Sequence, residues 1–221
     1  MKKCYIITAY IDGVLSEIIL SDKCVPEPEK KDLIICADGG YEIATSFGIE
    51  VDIVIGDADS GNVSPVLTDS STVSHTEFIR LQKEKDESDT FLCVNHAVNL
   101  GFEEVVIVGG IGGRLDHTIS NIQTLAHFSS KLKKISMFDE KNFATVIENS
   151  QITLYKKSDF SISLFSLSEK CVGVTATGLY YPLHDAELKN SYPIGLSNEF
   201  SDEKATIEVK CGKLLIIMSK R

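Results

Sequence analysis

The sequence predicts an α/β fold: a mainly parallel sheet flanked by helices, followed by an all-β sandwich. Three features carry that prediction. Up to about Asp139, short β-branched runs alternate with helix-period patterns, as in a parallel sheet covered by helices on both faces. After Asp139 strand follows strand, with turn residues between them and no helix pattern, which reads as a sandwich. Strands of the first part run into Asp38-Gly39-Gly40, residues 56–61 and residues 109–116, and ligands of open α/β sheets bind at such carboxyl ends. The expected division is therefore a Rossmann-like region over residues 1–139 and a β-sandwich over 140–221.

In chain order, the first part is expected to form strands at 3–9, 33–37, 53–55, 105–108 and 135–138. A helix over 88–100 follows from the apolar spacing of Phe91, Leu92, Val94, Ala97 and Val98, with Gly101 as its stop, and its first turn carries Asp89. Ile119, Ile122, Leu125 and Ala126 predict a second helix over 116–128. The sandwich strands fall at 144–147, 151–155, 161–165, 172–176, 205–209 and 213–218, punctuated by Glu148-Asn149-Ser150 and Cys211-Gly212.

Composition narrows the function. With 43% hydrophobic and 24% charged residues, the chain is an ordinary globular protein. Its formal net charge of −10 repels a nucleic-acid backbone, and the densest basic stretch, Lys131, Lys133 and Lys134, reads as the solvated end of a helix. Six cysteines without a close pair, several in apolar runs, argue against a disulfide framework and against a zinc site. The opening apolar run stops at Asp12 with no small-residue cleavage site after it, so it is expected to be a buried first strand of a cytoplasmic protein. No uncharged apolar stretch approaches the ~18 residues of a membrane span.

Three stretches bear chemistry. In Gly56-Asp57-Ala58-Asp59-Ser60 two carboxylates at i and i+2 follow a buried strand and can face the same side. Residues 84–90 form an acid-rich entry to a helix, with Asp86, Ser88 and Asp89. If Asp57, Asp59 and Asp89 converge to separations of ~5 Å, each pair repels by about 3 kcal/mol at an effective dielectric near 20, which calls for a cation. Carboxylate oxygens beside phosphates are the usual home of magnesium. Read singly, each acid favours a structural role: Asp57 in a turn, Asp59 at a helix start, Asp89 at a helix amino end.

The third stretch, 109–117, is a glycine-rich turn between a strand and a helix. Its glycines admit an anion close to the backbone, and Arg114 can fork onto phosphate oxygens. It is neither a dinucleotide fingerprint nor a Walker loop, because Leu115 stands where the former needs glycine and no Gly-Lys-Ser/Thr occurs. By itself it also fits a plain tight turn. Of the five histidines, only His117 sits in a motif.

Taken together and in order, these elements resemble the thiamine pyrophosphokinase family. The resemblance rests on Asp38-Gly39-Gly40; Asp52 with Gly56-Asp57-x-Asp59-Ser60; Lys85-Asp86-x-Ser88-Asp89-Thr90; Gly109-Gly110-x-Gly112-Gly113-Arg114-x-Asp116-His117; and, in the second part, Thr175-x-Thr177-Gly178-Leu179-x-Tyr181-Pro182-Leu183 with Gly195-x-Ser197-Asn198-Glu199. The chain departs from the family pattern at Ala58, often Phe or Leu, at Ser88, usually Thr, and at Val51, customarily proline.

The resemblance implies transfer of the diphosphate of ATP to the hydroxyl of thiamine, with Mg²⁺ as cofactor, in a homodimer whose active sites lie at the subunit interface. It makes Asp57, Asp59 and Asp89 the catalytic and metal-binding acids. Asp38, Gly39, Asp86, Ser88, Gly112, Gly113, Arg114, Asp116 and His117 become substrate- or cofactor-binding residues of an ATP/Mg-binding domain. Ser197 and Asn198 would contact the thiamine pyrimidine ring from the β domain. Another magnesium-dependent pyrophosphokinase or phosphohydrolase on the same scaffold, or a non-catalytic thiamine-binding protein, is the alternative reading.

Overall fold

The computed structural model describes residues 2–11, 32–56, 76–82, 84 and 86–221. The chain forms two compact units, Met1–Thr124 and Leu125–Arg221. In the first unit β1 (Lys3–Ile7), β2 (Leu33–Ala37), β3 (Ile53–Gly56), β4 (Glu77–Arg80) and β5 (Glu104–Val108) form parallel pairs in the order β4-β3-β2-β1-β5. The helices are α1 (Gly40–Ser46), α2 (Asp89–Asn99) and α3 (Leu115–Phe128). Burial of β1, β3 and β5 is nearly continuous along each strand, as expected where helices cover a parallel sheet.

The second unit is antiparallel. β6 (Lys134–Phe138), β7 (Asn142–Glu148), β13 (Lys213–Lys220) and β9 (Phe160–Ser166) pair in that order. A four-stranded sheet runs β11 (Leu183–Lys189), β10 (Lys170–Thr177), β12 (Lys204–Glu208) and β8 (Gln151–Tyr155). Burial alternates along β10 and β12, the mark of sheets with one face on the core. The fold class is the predicted one: a parallel α/β sheet followed by an antiparallel β-sandwich.

Every strand predicted from the sequence is present, with ends shifted by at most two residues. Three elements escaped prediction. β4 and β11 are edge strands whose side chains are mostly solvent-facing, so neither shows the apolar alternation that marks a half-buried strand. α1 has only seven residues, too few for helical periodicity to register. Strand 135–138, read with the first part, pairs antiparallel with β7. Among the described residues no helix is long and apolar enough to cross a membrane.

The two predicted helices form for the reasons their sequences suggested. Ser88 is the N-cap of α2, its hydroxyl accepting a hydrogen bond from the Phe91 N–H at 3.3 Å. Thr90, Cys93, Val94 and Ala97 form its buried face, and Gly101, at φ +84°, follows its C-cap. α1 packs on β1 and β2 so closely that Gly40 faces the Ile7 carbonyl, and a Cβ there would overlap that oxygen.

This contact gives the first prediction. Gly40→Ala forces β1 and α1 apart and should cost about 2–3 kcal/mol of stability. Gly101→Ala meets nothing within 4 Å and should cost only the left-handed backbone penalty, about 1 kcal/mol. Urea denaturation of both variants checks the difference, and equal costs would dismiss the steric account.

Candidate active site

The carboxyl ends of β1, β2 and β5 meet around a cleft of about 350 Å³. Its walls come from the tail of β1 (Thr8, Ala9, Tyr10), the end of β2 (Ala37, Asp38), the start of α2 (Ser88, Asp89, Thr90), and the glycine loop with the first turns of α3 (Gly110, Gly112, Arg114, His117, Ser120, Asn121). The volume suits a small-molecule ligand. Distant segments converge here because parallel strands all end on the same side of the sheet.

Asp38 reaches the cleft through a backbone held at φ +43°, an unusual conformation for a residue with a side chain, and its N–H donates to the Ile55 carbonyl at 2.9 Å. Its close neighbour is Gly56, the last residue of β3. A Cβ on Gly56 would lie 3.0–3.1 Å from the Asp38 Cα, Cβ and Oδ1. Asp89 lines the same cleft from the first turn of α2, where a negative charge is favoured by the helix dipole. Burial pushes the nearby Cys36 thiol up to about 12, so it stays protonated and takes no part as a nucleophile.

The glycine loop is fastened on two sides. From β1, the Tyr10 carbonyl accepts from the Gly110 N–H at 2.7 Å, and the buried Thr8 hydroxyl is 3.1 Å from both the Tyr10 and Val108 carbonyls. From α3, the Asn121 amide donates to the Gly110 carbonyl at 2.9 Å, and the Thr118 hydroxyl accepts from the Gly112 N–H at 3.0 Å. Gly109, Gly110, Gly112 and Gly113 all have positive φ, which only glycine adopts freely in succession.

Arg114 is held by Asp116 through two hydrogen bonds: Nε donates to Oδ1 at 3.2 Å and Nη2 to Oδ2 at 2.6 Å. Asp116 Oδ1 also accepts from the His117 N–H at 3.0 Å. A guanidinium has five N–H donors, so most of its capacity is open to an anion. The Arg114 fork is the main reason the Asp116 carboxyl is held below the usual carboxylate range, and the same bond raises the Arg114 pKa.

Of the residues predicted from sequence, Asp38, Ser88, Asp89, Gly112, Arg114 and His117 line this one cleft. Gly39 is the N-cap of α1 beside Ala9, and Gly113 and Asp116 belong to the loop and first turn that present Arg114. Asp86 is exposed and is not part of the lining. Asp57 and Asp59 lie outside the described residues. The residues that sequence reasoning passed over are Thr8, Tyr10, Thr118 and Asn121. They stand outside any charged or glycine pattern and matter through bonds to the glycine loop and its approach, Thr8 and Tyr10 from about a hundred residues away and Thr118 and Asn121 from the helix that follows.

Ser197 and Asn198 belong to the second unit. Asn198 forms a two-way backbone bridge with Ile162 of β9. Its side-chain Oδ1 accepts from the N–H groups of Tyr181 and Glu199 at 3.1 and 2.8 Å, while Nδ2 donates to the Tyr181 carbonyl at 2.7 Å. The amide thus ties the segment after β10 to the segment beside β9. Ser197 is exposed at φ +55°, with its N–H on the Ser163 hydroxyl at 3.0 Å.

The Arg114–Asp116 pair generates a pH prediction. Because the folded pKa of Asp116 lies below its unfolded value, the fork is complete above the ordinary carboxylate pKa and is lost only as pH falls through the depressed value. A carboxyl NMR titration should place the Asp116 midpoint below the usual aspartate range. Arg114→Gln should raise it, and an unmoved midpoint would remove Arg114 as the cause.

Comparison with known proteins accords with this geometry. Residues 27–137 match the family model described as thiamin pyrophosphokinase, catalytic domain, and residues 149–214 match thiamin pyrophosphokinase, vitamin B1 binding domain. The thiamine pyrophosphokinase of Bacillus subtilis (strain 168) is 30% identical over 139 residues, which span 62% of this chain and 65% of that protein's length. The crystal structure of thiamine pyrophosphokinase from Bacillus subtilis superposes with a TM-score of 0.80 at 25% identity, covering 99% of each chain. The thiamin pyrophosphokinase structure from Geobacillus thermodenitrificans shares the fold with a TM-score of 0.81 at 22% identity, over 99% of this chain and 98% of that one. With family models covering most of its length, the chain belongs to the thiamin pyrophosphokinase family.

Proposed function

We propose that this protein is a thiamine pyrophosphokinase, which transfers the diphosphate of ATP to the hydroxyl of thiamine and releases thiamine diphosphate and AMP. The observation that carries the reading is the cleft itself. Asp38 and Asp89 share it with an arginine and with the glycine loop that leads into α3. A ligand that satisfies both acids and anion-binding donors is a polyphosphate accompanied by a cation. The family match over residues 27–137 and 149–214 supports assigning ATP and magnesium to residues 1–139 and thiamine to residues 140–221.

The donor chemistry fits magnesium, since carboxylate oxygens are its preferred protein ligands. Among the described residues no three His, Cys, Asp or Glu side chains gather to hold a metal. The proposed ligands are Asp89 with Asp57 and Asp59, which stand one and three residues after Gly56 in the sequence, and Gly56 abuts Asp38. When bound, the ion offsets the negative charge of the transferring diphosphate.

The protein's own groups do the positioning. The glycine loop gives the phosphates room beside the backbone, and the open donors of Arg114 hold them, while Asp116 keeps the guanidinium aimed. The thiamine oxygen forms a bond to the β-phosphorus, the bond from that phosphorus to the α–β bridging oxygen breaks, and AMP departs with the electron pair. The hydroxyl proton passes to one of the three aspartates.

Ser197 and Asn198 are the proposed thiamine-side residues. The bonds of Asn198 to Tyr181 and Glu199 mean that it contributes by holding that backbone as well. A homodimer with interfacial sites is supported by the exposed apolar residues Tyr180, Tyr181, Tyr192, Ile194 and Leu196 in the second unit. The cytoplasm is the proposed compartment.

Purified protein mixed with ATP, Mg²⁺ and thiamine should yield AMP and thiamine diphosphate in equal amounts. ADP with thiamine monophosphate would overturn attack at the β-phosphorus. Asp89→Asn and Asp57→Asn should each lower kcat at least ~100-fold with an unchanged circular dichroism spectrum. Near-normal turnover in either variant would remove that aspartate from the mechanism.

A further inference from the structure

Tyr10 belongs to none of the motifs that mark this site, yet its ring sits where the glycine loop is most exposed. A Cβ on Gly113 would lie 2.9 Å from the Tyr10 Cδ2 and Cε2, and one on Gly112 would lie 3.1 Å from Cε1. Both glycines therefore press against one aromatic ring, Gly113 closer than a residue with a side chain could and Gly112 closer than most such residues do. The Tyr10 backbone is tied to the same loop, its carbonyl accepting from the Gly110 N–H. The ring also lines the cleft and is 46% exposed, so it is not a core residue.

A loop with four positive-φ glycines has many accessible conformations and pays a large entropy cost to hold one of them. Hydrogen bonds from Thr118 and Asn121 fasten it on the α3 side. On the β1 side the contact with residues 112 and 113 is the aromatic ring. Those are the residues whose N–H groups precede Arg114.

We propose that Tyr10 is a positioning residue that holds Gly112 and Gly113 in the shape that receives the nucleotide's polyphosphate, and so sets affinity for the nucleotide rather than for its acceptor. The ring alone does this, so Tyr10→Phe serves as well as tyrosine. The inference rests on the proposed pyrophosphokinase reading for the nucleotide at the glycine loop and for the identity of the acceptor.

The test measures ATP·Mg²⁺ binding by calorimetry without acceptor, and separately the KM for ATP, the KM for thiamine and the thermal midpoint. Tyr10→Phe should bind ATP within about twofold of wild type, and Tyr10→Ala about tenfold more weakly, with the KM for thiamine changed less than about twofold. A partly exposed ring should leave the thermal midpoint of Tyr10→Ala within ~2 °C.

A double-mutant cycle guards against a general defect. Gly113→Ala meets both the ring and the left-handed backbone when Tyr10 is present, but only the backbone term in Tyr10→Ala. Its loss of ATP affinity should therefore be about fivefold smaller in the second background. Unchanged ATP affinity in Tyr10→Ala, equal losses from Gly113→Ala in both backgrounds, or parallel rises in both KM values would overturn the proposal. Wild-type protein that binds ATP without forming thiamine diphosphate would sink the enzymatic reading and leave the Tyr10 proposal to the binding data. Wild-type protein that does not bind ATP would sink both.

Discussion

The site depends on β1 pairing on both sides at once and continuing past the edge of the sheet. Within the sheet β1 is parallel to β2 and β5; beyond it, the Thr8 N–H bonds the Val108 carbonyl at 3.1 Å and the Tyr10 carbonyl receives the Gly110 N–H. The same strand passes under Gly40, where only a missing side chain lets α1 approach. One buried strand therefore fixes both the Asp38 side of the cleft, through β2, and the glycine-loop side, through β5. Neither wall can shift without breaking backbone hydrogen bonds that burial makes costly to lose.

Charge is divided across that frame. The protein carries a net charge of −10, and the acids of the cleft add to a field that by itself repels a polyphosphate. Attraction has to be local. For the proposed reaction its sources are the glycine loop, whose backbone carries no net charge, Arg114 steadied by Asp116, and the cation that the reaction requires. Arg114 is exposed, so its pairing contributes aim rather than stability.

Much of the fold was legible because buried parallel strands are continuous apolar runs and α2 carries both a cap and a periodic apolar face. β4, β11 and α1 were not, since edge strands and a seven-residue helix leave no periodic trace. The site was legible where chemistry demands charged or glycine residues in short range, as at Asp38, Asp89, Gly112 and Arg114. Asn198 shows the limit: its motif position marks it, but its amide bonds to Tyr181 and Glu199 depend on how β9 and the chain after β10 are laid together.

By itself the sequence determined the order of the two units and the family resemblance from which the chemistry is proposed. Paired acids after a strand, an acidic helix entry and a glycine turn with an arginine are local patterns, and their spacing along the chain survives whatever the rest of the molecule does. Only the tertiary structure decided that Asp38 and Asp89 share a cleft, that Asp116 holds Arg114, and that Tyr10 stands against Gly112 and Gly113. The reason is physical. Which side chain meets which loop across a hundred residues is set by strand register and by the close approach of backbones, and neither is written in any one stretch of residues.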